Sequence, residues 1–186
     1  IAYKLFSNCT GLEKITIPDT VTTIKGNAFY ECSNLSKVKL SENLTVIEAD
    51  AFQECNSLQN IELPEGLSEI KDRAFYQCSN LKEIKIPDSV TKIEGSAFYE
   101  CKKLQNVTLS KNLESLGSST FGNCDGLTQI EIPKSLERAG DDYFASYAPG
   151  AFSGCKNLKN VSFEAGTTVI AYKLFSNCTG LEKITI

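Results

Sequence analysis

Eight cysteines are the residues in this chain best able to do covalent chemistry, and their spacing limits what kind. They stand at positions 9, 32, 55, 78, 101, 124, 155 and 178, so successive gaps are 23 residues except for one of 31. A thiolate can attack an electrophile, hold a metal or form a disulfide. Reactive and metal-binding cysteines usually come in C-x-x-C pairs or beside imidazoles, and this chain has no such pair and no histidine. Ser-His-Asp and Cys-His relays and imidazole ligands are therefore excluded, and no catalytic residue is assigned. Each cysteine instead follows a phenylalanine by three residues, which reads as a column of buried thiols packing as small hydrophobes. Disulfides between neighbouring turns and metal binding stay open as alternatives, the first limited by the Cα separation a disulfide needs.

A second place with chemical potential is the stretch AGDDYFASYAPGAF, which carries Asp141, Asp142, Tyr143, Phe144 and Tyr147. It holds the extra eight residues of the long cysteine gap (31 − 23 = 8), so an inserted loop is expected at about 140–149. Adjacent carboxylates could hold calcium, but the D-x-D-x-D-G spacing is missing, so no metal or other cofactor is assigned. Three aromatics beside two acids form a candidate partner-binding cluster. The plainer reading is that these aromatics fold back to cover the core where Ala139 stands in place of an isoleucine.

The elements that position these residues follow from the repeat C-x-x-L-x-x-(I/V)-x-(I/L/F)-x-x-x-(V/L)-x-x-I-x-x-x-A-F, best seen from Cys78 to Phe98. A fixed period in this range marks a solenoid, whose single turn cannot bury its apolar face alone. Ile84 and Ile86 alternate with polar residues, as in a short strand, and Pro87, like Pro18, Pro64 and Pro133, marks where strand pairing stops. Val90 and Ile93 point inward from the return leg. Ser96 to Cys101 reads as one helical turn, with Asn27, Asp50, Ser96 and Ser119 in the N-cap column and Arg73 and Lys173 departing from it. Phe6, Phe29, Phe52, Phe75, Phe98, Phe121, Phe152 and Phe175 form one core column. The expected fold is an α/β-type solenoid: a right-handed arc with a parallel concave sheet of about eight strands and short helical turns on the convex side. Residues 1–186 form one such solenoid, expected to be a fragment of a longer array.

The pattern L-x-x-I-x-I-P-x-x-V-x-x-I-x-x-x-A-F-x-x-C resembles the BspA-like leucine-rich repeat, a 23-residue class, over essentially the whole chain. The resemblance implies secretion or cell-surface display and adhesion, with extracellular-matrix binding and coaggregation among family roles. It carries no catalytic residues onto this chain.

A non-enzymatic binding module is the function expected, with a protein or glycan as partner, held by the concave strip and the inserted loop. The central outward column of the strip includes Lys39, Glu62, Lys85 and Glu131, charges of both signs without an aromatic or arginine anchor. That pattern also suits a plain solvated face with cross-strand pairing. A net charge of −4 argues against a nucleic-acid grip, and no apolar run is long enough to insert in a membrane. Residues 1–17, IAYKLFSNCTGLEKITI, recur identically as 170–186, an offset of 169 that equals seven periods of 23 plus 8. A structural spacer or fibre-forming repeat that self-associates end to end through a 169-residue super-repeat is the alternative function. Overlapping ends of a designed chain would give the same identity.

Overall fold

A computed structural model describes residues 1–140 and 149–186. Thirteen strands are formed among them, in two columns. The first column holds β1 (Lys14–Thr16), β3 (Lys37–Lys39), β6 (Glu83–Lys85), β8 (Asn106–Thr108), β10 (Gln129–Ile132), β12 (Asn160–Phe163) and β13 (Lys183–Thr185). The second, on the return leg, holds β2 (Thr23–Ile24), β4 (Val46–Ile47), β5 (Glu69–Ile70), β7 (Lys92–Ile93), β9 (Ser115–Leu116) and β11 (Arg138–Ala139). Every pairing is parallel, and residues pair with their equivalents one repeat on, as Ile15 with Val38 and Ile24 with Ile47. The result is a parallel β-solenoid in which one 23-residue repeat makes one coil.

Two expectations about the sheet need correction. The first column has seven strands among the described residues, not eight, because 60–62 forms no ladder. It is also not one sheet: β1–β3, β6–β8 and β10–β12–β13 are separate. The continuous sheet is the return leg, six strands in the order β11-β9-β7-β5-β4-β2. Two paired residues per coil suffice there because Ile24, Ile47, Ile70, Ile93 and Leu116 are all buried and fix the register.

The third side of each coil carries no helix among the described residues, so the expected helical turns and their N-caps are also corrected. The column read as caps lies in the left-handed region instead, with φ of 55° at Asn27, 58° at Asp50, 53° at Arg73, 54° at Ser96 and 53° at Ser119. A second left-handed residue follows four positions later, as at Glu31, Glu54, Gln77 and Glu100. The hydrogen bonds explain why. Alternate amides close tight turns, as Tyr30 N to the Asn27 carbonyl at 3.2 Å, while those between them bond to the next coil. Asn27, Phe29 and Glu31 donate to Ala49, Ala51 and Gln53 at 3.0, 2.8 and 2.8 Å. A helix would consume those amides within the coil, and one turn of helix gains too few bonds to offset its nucleation.

The corners fit the proline reading. The Pro18, Pro64, Pro87 and Pro133 carbonyls each accept the amide three residues on, at 3.0 or 3.1 Å. Where serine replaces proline, at buried Ser41 and Ser110, the hydroxyl accepts the amide of Asn43 or Asn112 at 3.1 Å.

Inside, the eight phenylalanines stack ring on ring with centroids 5.0–5.5 Å apart, nearly parallel from Phe6 to Phe152. This spacing is close to the pitch of a strand ladder, so one offset-stacked column runs the length of the array. Gly150 shows how tightly coils approach: a Cβ there would fall 1.7 Å from the Lys173 carbonyl oxygen, so only glycine fits.

Candidate functional site

The cysteines form one column, each three residues after a phenylalanine. All eight are free thiols, and all but Cys9 are buried. They are more than space-fillers. From Cys32 onward, each Sγ donates to the carbonyl of the phenylalanine in the preceding coil, at 3.0–3.3 Å. Burial pushes the Cys32 thiol up to about 11 and that of Cys78 up to about 12. Cys55 and Cys101 are raised well above the ordinary thiol range, also chiefly by burial. Cys178 is raised too, first by its hydrogen bond with Cys155 and then by burial. Protonated, buried thiols of this kind are poor nucleophiles. Among the described residues no group of three or more metal-ligating side chains converges.

The outward face of the first strand column offers a different kind of site. Where 60–62 lapses from the ladder, an open groove of about 1190 Å³ lies over β1, β3 and residues 59–66. Asn60, Ile61 and Glu62 donate no backbone hydrogen bond to either neighbouring coil, so their amides are available. Its lining includes three lysines, Lys14, Lys37 and Lys39, and three glutamates, Glu42, Glu62 and Glu65. A second groove of about 530 Å³ spans Gln105–Thr108, Gln129–Glu131 and Asn160–Ser162, where β8 and β10 share no ladder. Both depressions therefore fall where inter-coil backbone pairing is interrupted. Each combines free backbone groups with polar side chains, the combination that an extended chain can pair with.

The sequence-assigned strip residues divide between these places. Lys39 and Glu62 line the larger groove, and Glu131 lines the smaller one. Lys85, in β6, lies outside both but reaches the rim of the first, where its Nζ is 3.1 Å from Glu65 Oε1. Both partners of that pair are largely exposed, so it fixes little. Asp141, Asp142, Tyr143, Phe144 and Tyr147 lie outside the described residues. The flanking backbone is placed: Ser118 Oγ donates to the Pro149 carbonyl at 2.8 Å. Glu42 and Glu65 were missed by sequence reasoning because they sit just past the corner, outside the strand alternation. Their position directly after Ser41 and Pro64 is the signal that could have found them.

On the third side of the coils, Tyr76 and Tyr99 stack at 5.3 Å, and the Tyr99 hydroxyl accepts from Asn123 Nδ2 at 2.7 Å. These rings are engaged with one another. No helix among the described residues is long and apolar enough to cross a membrane.

No curated protein matches the chain. Among solved structures, it is similar to a leucine-rich repeat protein from Bacteroides ovatus ATCC 8483, with 29% identity, a TM-score of 0.70, and coverage of 99% of this chain and 57% of that one. The T. pallidum leucine-rich repeat protein shares 31% identity and a TM-score of 0.70, over 75% of this chain and 64% of that one. A leucine-rich cell surface protein from Faecalibacterium prausnitzii A2-165 shares 26% identity at a TM-score of 0.56, over 98% and 61%. The chain thus spans less than two thirds of the length of each. Six copies of the family model described as the BspA type leucine-rich repeat region match residues 1–87, 22–149 and 148–186. With its 23-residue coil, phenylalanine column and cysteine ladder, the chain belongs to the BspA-type leucine-rich repeat family.

Proposed function

We propose that this chain is a non-enzymatic protein-binding module of a secreted or cell-surface protein, with adhesion to a host or neighbouring-cell protein as its task. The observation that carries this reading is the larger groove, lined by three lysines and three glutamates beside backbone amides that no neighbouring coil uses. A partner laying an extended segment there gains main-chain hydrogen bonds for affinity and charge pairing for register. The inserted segment 141–148 supplies the aromatic anchors that the strip lacks. Membership of a repeat family without a catalytic constellation supports a binding role, and one structural neighbour is described as a cell surface protein.

The test is solid-phase binding of the intact chain to a panel of immobilised extracellular-matrix proteins. A charge-reversed double variant, Lys39→Glu with Glu62→Lys, is compared with Lys102→Glu, an exposed change outside both grooves. The double variant is expected to lose about tenfold or more in affinity, or roughly 1.4 kcal/mol, with the control unchanged. Equal binding by both would remove the groove from the account. Retention on immobilised glycans instead of proteins would reassign the partner class.

A further inference from the structure

Three lysines on the first strand column stand apart from the other charges of the chain. Lys25, Lys92 and Lys159 each reach a carboxylate, Glu48, Glu94 and Glu182 respectively. Lys14, Lys37 and Lys39 are exposed and make no ion pair among the described residues. Lys14 and Lys37 are direct partners in the β1–β3 register, so two like charges sit side by side. Like charges placed directly opposite one another destabilise a sheet. Lys39 lies two residues beyond Lys37 on the same strand, hence on the same face and about 7 Å further along.

The coil that carries Lys37 and Lys39 is flanked by a described coil on each side. In the next coil Asn60 and Glu62 hold the equivalent positions, but the ladder lapses there and Glu62 lies beyond ion-pair distance of Lys39. The other carboxylates of the groove, Glu42 and Glu65, also stand off β1 and β3, and Glu65 is drawn to Lys85 at 3.1 Å.

We propose that Lys14, Lys37 and Lys39 hold acidic side chains of an extended protein segment, so that the larger groove selects an acidic strand. This rests on the protein-binding reading of that groove and narrows it. Lys37 and Lys39 match the two-residue side-chain repeat of an extended chain, so acids at alternate positions meet both. Carbonyls of the same segment accept from the free amides of Asn60, Ile61 and Glu62. A carboxylate set against Lys14 and Lys37 also offsets their mutual repulsion, a gain that shrinks as salt is added. A uniform polyanion such as a sulfated glycan fits less well, because Glu42, Glu62 and Glu65 in the same groove repel its further charges.

Fluorescence anisotropy of the intact chain at low ionic strength tests this with three labelled probes. They are a short peptide of alternating glutamate and threonine, its glutamine–threonine twin, and a heparin oligosaccharide. The acidic peptide is expected to bind about tenfold more tightly than either of the others. Lys37→Gln with Lys39→Gln is expected to weaken that binding by about tenfold or more. Lys102→Gln with Lys156→Gln, exposed and outside both grooves, is expected to leave it unchanged. The groove variant is also expected to unfold at the same or a higher urea concentration, because the repulsion with Lys14 is gone. A fall in stability together with binding would mark the lysines as structural and overturns the proposal. Tighter binding of heparin than of the acidic peptide overturns it too, making the patch a general polyanion site. If the acidic peptide fails to bind while matrix-protein binding still responds to Lys39→Glu with Glu62→Lys, the acidic motif alone is overturned. If matrix-protein binding ignores that double variant, the groove reading itself falls.

Discussion

The Phe52 carbonyl accepts two hydrogen bonds, from the Cys55 amide of its own coil at 3.2 Å and from the Cys78 thiol of the next coil at 3.1 Å. Repeated along the array, this relationship makes the cysteine column a line of stitches between coils. It explains why a residue that could be any small hydrophobe is cysteine in the seven coils from Cys32 to Cys178: valine or alanine would fill the space without supplying the donor.

Cys78→Ala is therefore expected to destabilise the protein by about 1–3 kcal/mol through the lost donor and packing. Cys9→Ala, at the exposed end of the column, is expected to be near neutral. Urea unfolding followed by circular dichroism checks both. Equal effects would mean that the thiol bonds contribute nothing.

The same thiols predict the response to alkali. Their folded pKa values are raised above the ordinary value of 9.0, to about 11 at Cys32 and about 12 at Cys78. Above pH 9 the unfolded chain loses protons that the folded chain keeps. The stabilisation is whole below that pH and is lost as pH rises through the folded values. The unfolding midpoint should be flat with respect to these groups up to about pH 9 and fall steeply from there towards 12. A midpoint that holds steady from pH 9 to 11.5 in unfolding titrations would contradict the burial of the column.

The phenylalanine stack predicts a gradient along the solenoid. Phe75 lies between Phe52 and Phe98 and is fully buried, so Phe75→Ala is expected to cost about 3–5 kcal/mol. Phe6 has one stacked neighbour, Phe29, and is only partly buried, so Phe6→Ala is expected to cost less than half as much. Thermal unfolding of the two variants gives the comparison.

The left-handed residues predict a stabilising change. Glu54 sits at φ 59°, and Gly154 already occupies the equivalent position in a later repeat at φ 75°. A left-handed side chain costs about 1–2 kcal/mol, against roughly 0.5–1 kcal/mol for the extra unfolded freedom of glycine. Glu54→Gly is accordingly expected to raise the unfolding midpoint slightly, by a net of about 0.5–1 kcal/mol. A lower midpoint would mean that the Gln53–Glu54 side-chain bond outweighs the backbone strain.

Sequence showed the period, the inward columns and the corners, because burial every 23 residues leaves a pattern in residue types. It misled at Asn27, Asp50, Ser96 and Ser119 for a physical reason: short polar side chains suit helix N-caps, and asparagine and aspartate also tolerate left-handed turns. The glutamates four residues later gave no warning, since glutamate is not a turn residue. The return-leg sheet was hidden because two paired residues per coil are too few to show alternation. Gln59 to Leu63 keeps the strand pattern although the ladder lapses there, so Lys39 and Glu62 could be placed on the strip but not in a groove. The thiol donors were invisible because packing and hydrogen bonding by cysteine look alike in sequence.

Amide hydrogen exchange of the intact chain, resolved by residue with NMR, tests the central claim most directly. Phe29, Phe52, Phe75 and Phe98, whose amides bond to the next coil, should exchange slowly. Asn60, Ile61 and Glu62 should exchange fast, and should become protected when a matrix protein from the binding panel is added. Slow exchange at Asn60 to Glu62 in the free chain would mean that the strip is continuously paired, and the groove would then have no free backbone to offer a partner.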